Sequence, residues 1–276
     1  MIILTGYNGF IGKAFASVLD PDNIYRVEAE GAFQFLEEYE KWDTVDLIIH
    51  QGAISSTTET DLNKIHKYNV EFSVELFKKA IEYQIPVKYA SSASVYGQME
   101  QIINPLNYYA LSKVAVDYWV MDHINEFKSV QGFRYFNVYG EGEEHKGNQA
   151  SPVSKFTKQV QETGTIKLFE NSDMYFRDFI CVEDVVAIVL SNQKGSGIYD
   201  LGTSNAVTFQ DVAELVATKY NGKIEHVPFP EHLRGKYQEF TSALPIWGDY
   251  KFITVRDYIN ADKRGANALQ VASVAP

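Results

Sequence analysis

Tyr109 and Lys113 stand four residues apart in Tyr109-Ala110-Leu111-Ser112-Lys113, a spacing that puts a phenol and an ammonium on one face of a helix. A nearby ammonium favours the phenolate and draws the tyrosine's pKa towards working pH, so the pair suits proton transfer. The chain holds 18 tyrosines, and spacing alone does not single this one out. A second segment does. Ser91-Ser92-Ala93-Ser94-Val95-Tyr96-Gly97 follows a strand pattern, and a hydroxyl there can hydrogen-bond a reacting oxygen. Ser92 is the first choice, with Ser91 and Ser94 open as alternatives. Asn69 interrupts the apolar stripe of its helix, so it should be buried and hydrogen-bonded. It is either a satisfied core amide or a residue that positions a cofactor-side loop or water.

A third group of residues is built for an anion. Thr5-Gly6-Tyr7-Asn8-Gly9-Phe10-Ile11-Gly12 ends the first strand pattern and opens a helix pattern. Glycines at 6, 9 and 12 allow a tight turn, close approach of a pyrophosphate to backbone N–H groups, and close packing of helix on strand. The helix N-terminus then turns its free donors and partial positive charge towards the anion. The strand–glycines–helix context raises this above a chance triplet. Glu28, ending Tyr25-Arg26-Val27-Glu28, closes the second strand pattern, and on its own reads equally as a solvated carboxylate in an acidic stretch.

These residues need a scaffold, and the chain supplies the pattern of one. Short apolar runs at Met1–Thr5, Val45–His50, Val87–Ser91, Val130–Tyr135, Ile166–Phe169 and Ile198–Leu201 alternate with helix-period segments, the sign of a parallel sheet covered by helices. Helices are expected over Asp61–Tyr83, Tyr109–Phe127 and Phe209–Tyr220, the last capped by Thr208 with Asp211. The expectation is an α/β fold, a doubly wound Rossmann sheet with a smaller C-terminal substrate lobe. The dinucleotide domain should span 1–144, with 178–201 returning to it; 145–177 and 202–260 should form the lobe, and 261–276 a tail. The 276 residues carry 25 Lys and Arg against 36 Asp and Glu, a net charge of −11, which counts against nucleic acid as a partner. Cys181 is the one cysteine, so no intramolecular disulfide forms and a reducing, cytoplasmic compartment is expected. No apolar run reaches the length of a membrane span, and Met1–Leu4 enters a strand with no basic leader. Neither a membrane nor a metal is expected.

The glycine spacing, SSxSVYG and YxxxK together resemble the extended short-chain dehydrogenases/reductases, which include the nucleotide-sugar epimerases and dehydratases. Arg177-Asp178-Phe179-Ile180-x-Val182-x-Asp184 resembles their C-terminal motif, whose arginine contacts the nucleotide diphosphate, a job suited to a bidentate guanidinium. The alternative pairs Arg177 with its neighbour Asp178. Three further segments are similar to the ADP-L-glycero-D-manno-heptose 6-epimerases in particular. They are His50-Gln51-Gly52-Ala53-Ile54-Ser55-Ser56-Thr57-Thr58-Glu59, then Gly132–Gly140 followed by His145-Lys146-Gly147, then Pro228–Thr241.

That resemblance implies a homo-oligomer, often a pentamer, that inverts C6″ of an ADP-heptose on the way to lipopolysaccharide. The inversion would proceed by transient oxidation with a retained NAD or NADP. It implies Tyr109 as one acid/base, Lys113 as holder of the nicotinamide ribose, and Lys146 as a second acid/base. Cofactor contacts would include Gly6, Gly9, Phe10, Ile11, Gly12, Glu28, Gln51, Gly52, Ala53, Ile54, Ser55, Asn69 and Val138. Substrate contacts would include Asn137, Phe169, Glu170, Asn171, Ser172, Arg177 and Tyr237. A family serine appears as Asn148 and a family histidine as Lys155. Glu28-Ala29 stands where the family carries Asp-Asn, and a carboxylate repels a 2′-phosphate, so NAD is as plausible as NADP. An epimerase or 4,6-dehydratase on another nucleotide-sugar is the nearest alternative, and a non-catalytic dinucleotide sensor a more distant one.

Overall fold

The computed structural model describes residues 1–98, 101–231 and 238–261. Tyr237 and almost all of the expected tail lie outside the described residues. The chain divides into two compact units, Met1–Tyr135 with Gln193–Asp200, and Phe136–Asn192 with the chain from Leu201 onward.

In the first unit the strands β1 (Ile2–Thr5), β2 (Ile24–Val27), β3 (Leu47–His50), β4 (Val87–Ser92) and β5 (Val130–Tyr135) alternate with helices. These are α1 (Phe10–Val18), α2 (Ala32–Glu38), α3 (Leu62–Ile65), α4 (Phe72–Glu82) and α5 (Tyr108–Asp122). β1 pairs parallel with both β2 and β3, β3 with β4, and β4 with β5. Apolar runs such as Ile3-Leu4 and Ile48-Ile49 are wholly buried, as strands covered on both faces must be. On one face Ile3, Ile48, Val87 and Val130 pack against Phe35 of α2, Leu76 and Phe77 of α4, and Val116 and Val120 of α5. The chain order reverses at β1, so the carboxyl ends of β1 and β3 flank the crevice where open α/β sheets take ligands.

Two helices differ from their sequence patterns. Asp61–Tyr83 is not one continuous α-helix: a π-helical stretch, His66–Glu71, separates α3 from α4. α5 stops at Asp122, where His123 leaves helical geometry.

The second unit holds β6 (Asn137–Tyr139), α6 (Pro152–Thr163), β7 (Thr165–Phe169), β8 (Phe176–Cys181) and α7 (Val182–Ser191). The chain then returns to the first unit as β9 (Gly197–Leu201), which neighbours β5 and completes a six-stranded sheet. Back in the second unit follow β10 (Ala206–Thr208), α8 (Phe209–Tyr220), β11 (Lys223–Val227) and α9 (Val255–Asn260). A β10-β8-β6 sheet and a β11-β7 pair share a core of Tyr139, Phe156, Ile166, Leu168, Phe179, Val212 and Val216. The expected boundary at 144 therefore falls instead after Tyr135, and of 178–201 only Gln193–Asp200 returns. Pairing of Asn137–Tyr139 with Phe179–Cys181 draws both segments into the second unit. No helix among the described residues is long and apolar enough to cross a membrane.

Candidate active site

The turn after β1 is tight at both glycines that matter. Gly6 has φ +67°, and a Cβ there would come 2.7 Å from the Gly52 backbone. A Cβ on Gly12 would collide with the Gly6 carbonyl, so α1 packs on the loop more closely than any side chain allows. Gly9 is the N-cap of α1 and no side chain caps that terminus. Its amides and dipole are left for a ligand. Glu28 accepts the Asn8 N–H at 2.6 Å, which holds its carboxylate at the rim of the loop. Gln51 Oε1 accepts from the Tyr135 hydroxyl at 3.1 Å, while its buried Nε2 has no partner among the described residues. A glycine cradle, an uncapped helix start and an orphaned amide donor all fit a dinucleotide.

The candidate acid/base, Tyr109, stands on α5, whose start is capped by Asn107 accepting from Ala110 N–H at 2.9 Å. Lys113 is buried and its Nζ donates to the Ala90 carbonyl at 2.8 Å; it lies 5.9 Å from the Tyr109 ring centroid. Burial raises the Tyr109 pKa, a hydrogen bond with the Ser92 side chain lowers it, and Asp117 raises it again. Burial pushes the Lys113 ammonium itself down to about 8, with Asp117 opposing. The three serines separate cleanly. Ser91 donates to Asp117 at 2.9 Å, Ser94 Oγ is buried without a partner among the described residues, and Ser92 is joined to Tyr109.

The π-helical stretch explains Asn69. Its Oδ1 accepts from Ile54 N–H at 2.7 Å and its Nδ2 donates to Ile54 O at 3.1 Å. Nδ2 also donates to Ser112 Oγ at 2.9 Å, and Ser112 donates to the Tyr109 carbonyl at 2.7 Å. One buried amide thus ties the loop that follows β3 to the first turn of α5. An inserted residue in a helix widens one turn and re-aims a side chain, a device common at functional sites.

Sequence reasoning missed the link from this amide to the phosphate loop. Ser73 donates to Asn69 O at 2.7 Å, so it accepts from His50 Nε2, 2.8 Å away. His50 Nδ1 then accepts from Thr5 Oγ1 at 2.6 Å, and Thr5 accepts Gly52 N–H at 3.0 Å. These bonds suit the neutral ring, with its proton on Nε2. Burial, reinforced by the positive charge of Lys113, pushes His50 down to about 3. The one available signal was a histidine ending an apolar strand.

The second unit carries the remaining candidates. Arg177 is nearly fully buried and its guanidinium donates to the Phe176 carbonyl at 2.8 Å and to the Gln238 carbonyl. It also lies 5.4 Å from the Phe209 ring centroid. It is not paired with Asp178, whose carboxylate accepts four bonds of its own from Thr203, Ser204 and Ala243. Phe169 ends β7 and meets Phe229 edge-on at 5.6 Å, with Tyr175 stacked on Phe229 at 5.4 Å. Glu170 N–H donates to Val227 O, Asn171 has φ +60°, and Ser172 is buried and donates to Phe169 O. Asn137 and Val138 lie on β6, Asn148 in the 3-10 segment Glu144–Gln149, and Lys155 on α6. Burial lowers the pKa of both Lys146 and Lys155, opposed in each by Glu143, and Lys146 lowers Lys155 further. Glu143 is held by Ser151 N–H at 2.6 Å and the Ser151 hydroxyl at 2.5 Å.

Comparison with known proteins follows the same lines. The NAD dependent epimerase/dehydratase family matches residues 2–202. The chain is 38% identical to an ADP-L-glycero-D-manno-heptose-6-epimerase of Alkalilimnicola ehrlichii, over 88% of each chain. In fold it is similar to the ADP-L-glycero-D-manno-heptose-6-epimerase of Helicobacter pylori, with TM-score 0.76 and 23% identity over 94% of this chain and 93% of that one. It is likewise similar to the UDP-glucose 4-epimerase of Thermus thermophilus in complex with NAD, with TM-score 0.76 and 21% identity over 94% and 97%.

Proposed function

Because this chain belongs to the NAD dependent epimerase/dehydratase family, we propose that it is a nucleotide-sugar epimerase inverting C6″ of ADP-glycero-manno-heptose. The observation that carries the chemistry is Tyr109 joined to Ser92 with Lys113 one turn on, beside a loop shaped for a dinucleotide. The sugar rests on the 38% identical relative and on the segments His50–Glu59 and Pro228–Thr241.

The C6″ proton has no adjacent carbonyl and is not acidic, so direct removal is slow and transient oxidation to a ketone is the easier route. A dinucleotide bound at the glycine loop would supply a reversible hydride acceptor for this oxidation and for the return reduction that inverts the carbon. Tyr109 takes the hydroxyl proton in one pose, with Ser92 Oγ hydrogen-bonding the same oxygen. Lys113 holds the ribose and keeps a positive charge beneath the phenol. Lys146 is the second acid/base, and its lowered proton affinity supports that role. Gly6, Gly9 and Gly12 hold the pyrophosphate and Glu28 the adenosine ribose, where its charge favours NAD over NADP. The second unit is the substrate lobe, with Arg177, Phe169 and Ser172 among its contacts, and the chain works as a homo-oligomer.

The test is incubation with ADP-D-glycero-D-manno-heptose in deuterated water. Inversion at C6″ without solvent deuterium there, lost by about 10²-fold or more in Tyr109→Phe, is the expected result. No turnover of that sugar, with turnover of a UDP-, GDP- or dTDP-sugar, overturns the heptose assignment.

A further inference from the structure

Behind Tyr109 and Lys113 lies a cluster of buried charges that the chemistry above does not use. Asp117 stands one turn beyond Lys113 on the same face of α5 and is buried. Its Oδ1 accepts from the Tyr89 hydroxyl at 3.0 Å, and its Oδ2 from the Ser91 hydroxyl and Arg134 Nε, each at 2.9 Å. Arg134 Nη1 donates to the Tyr96 hydroxyl at 2.8 Å, and that hydroxyl donates to Asp200 Oδ1 at 2.6 Å. Buried Lys113, Asp117 and Asp200 and half-buried Arg134, drawn from α5, β5 and β9, therefore carry formal charges that sum to zero. Three donors hold the Asp117 carboxylate in a fixed place. Its influence on Lys113 is through its field, because the Lys113 ammonium donates to Ala90 O.

We propose that Asp117 is a positioning residue for the reaction: backed by Arg134, Tyr96 and Asp200, its fixed charge sets where Tyr109 and Lys113 hold and release their protons. This rests on the reading of Tyr109 as the acid/base. The direction follows from electrostatics. An anion favours the Lys113 ammonium and disfavours the Tyr109 phenolate, so it moves both titrations to higher pH. The other groups around Lys113 do not duplicate it. His50 on β3 is neutral, Tyr89 on β4 is a donor to Asp117, Arg134 on β5 is a cation, and Tyr96 keeps its proton while donating a hydrogen bond to Asp200. Lys88 alternates to the opposite face of β4. A purely structural aspartate would leave the pH dependence where it is when replaced by its isosteric amide.

The test compares wild type, Asp117→Asn and Asp117→Glu. Asp117→Asn should move both limbs of the kcat profile to lower pH, and Asp117→Glu should leave them near wild type. A second measurement needs no sugar: in the NAD-bound protein labelled with [13Cζ]tyrosine, the resonance that Tyr109→Phe removes should titrate at lower pH in Asp117→Asn. Failure of the heptose assignment leaves this arm intact, so the two readings fail separately. Should Asp117→Asn not fold, Asp200→Asn leaves Arg134 undercompensated and should shift the same resonance the same way, by less. A resonance and limbs that stay in place, or move to higher pH, in a folded variant overturn the proposal.

Discussion

At the scale of single residues, His50 shows how one ring can be fixed in charge state by its neighbours. Ser73 must accept from Nε2 because its own proton goes to Asn69, which leaves Nδ1 of the neutral ring to accept from the Thr5 hydroxyl. With a folded pKa of about 3 and an unfolded value of about 6.5, the unfolded chain binds more protons between those limits. Stability from this group is therefore present above pH 6.5 and is lost as pH falls towards 3. At pH 4.5 the loss is about 2–3 kcal/mol from this group. Replacing it by glutamine, which keeps a donor and an acceptor but does not titrate, should flatten the fall of the thermal midpoint between pH 7 and pH 4.5. An unchanged slope would remove His50 from the account. Little of this was legible in the sequence. The Tyr109–Lys113 spacing and Ser92 were, because they are local; His50, Asp117 and Asp200 act through partners 17 to 104 residues away, and only strand register brings such partners together.

At the scale of elements, the loop between β1 and α1 depends on a close approach that the glycine pattern announced. Gly12→Ala puts a methyl group against the Gly6 carbonyl, forcing α1 away from the glycine turn proposed to hold a pyrophosphate. NAD affinity, read by calorimetric titration, should fall by at least about tenfold, an energy of about 1.4 kcal/mol. Gly195→Ala, which meets nothing within 4 Å, should bind NAD as wild type does. If Gly12→Ala also binds normally, the cradle is not where the dinucleotide sits. Strands and the phosphate loop were readable because their signals repeat over two or three residues. The π-helical stretch was not. Leu62, Ile65, Asn69, Phe72 and Leu76 satisfy a 3.6-residue period with or without one inserted residue, and only the bonds from Asn69 to Ile54 and Ser112 disclose the widened turn. The boundary between the units escaped for a similar reason, since nothing in Asn137–Tyr139 says that it pairs with β8 and not with the central sheet.

At the scale of the whole molecule, the first unit is discontinuous in sequence. β9 neighbours β5, Gln131 donates to the Lys194 carbonyl, and Tyr96 donates to Asp200. A fragment ending at Tyr135 would expose the edge of β5 and strand Arg134 without Asp200. It should aggregate or show no cooperative melt by circular dichroism, as an open apolar edge dictates; a fragment that melts cooperatively would show that β9 is dispensable. The aromatic surplus of 14% is also resolved at this scale. Phe35, Tyr39 and Trp42 cluster by α2, while Phe169, Phe229 and Tyr175 line one end of the β11-β7 pair. The opposite margin of the large sheet has a consequence of another kind. The sheet stops at β2, a four-residue strand whose middle residues, Tyr25 and Arg26, face solvent. Beyond it the chain turns through Gly31, at φ +86° with open space around it. A strand so short offers little template for recruiting a stranger, yet the turn displaces no core when extra chain is spliced into it. The glycine turn after β1, joined to Glu28 through Asn8, thus lies close in sequence to an open point of insertion, and a reporter domain placed there would sit three residues from Glu28, the residue proposed to meet the cofactor.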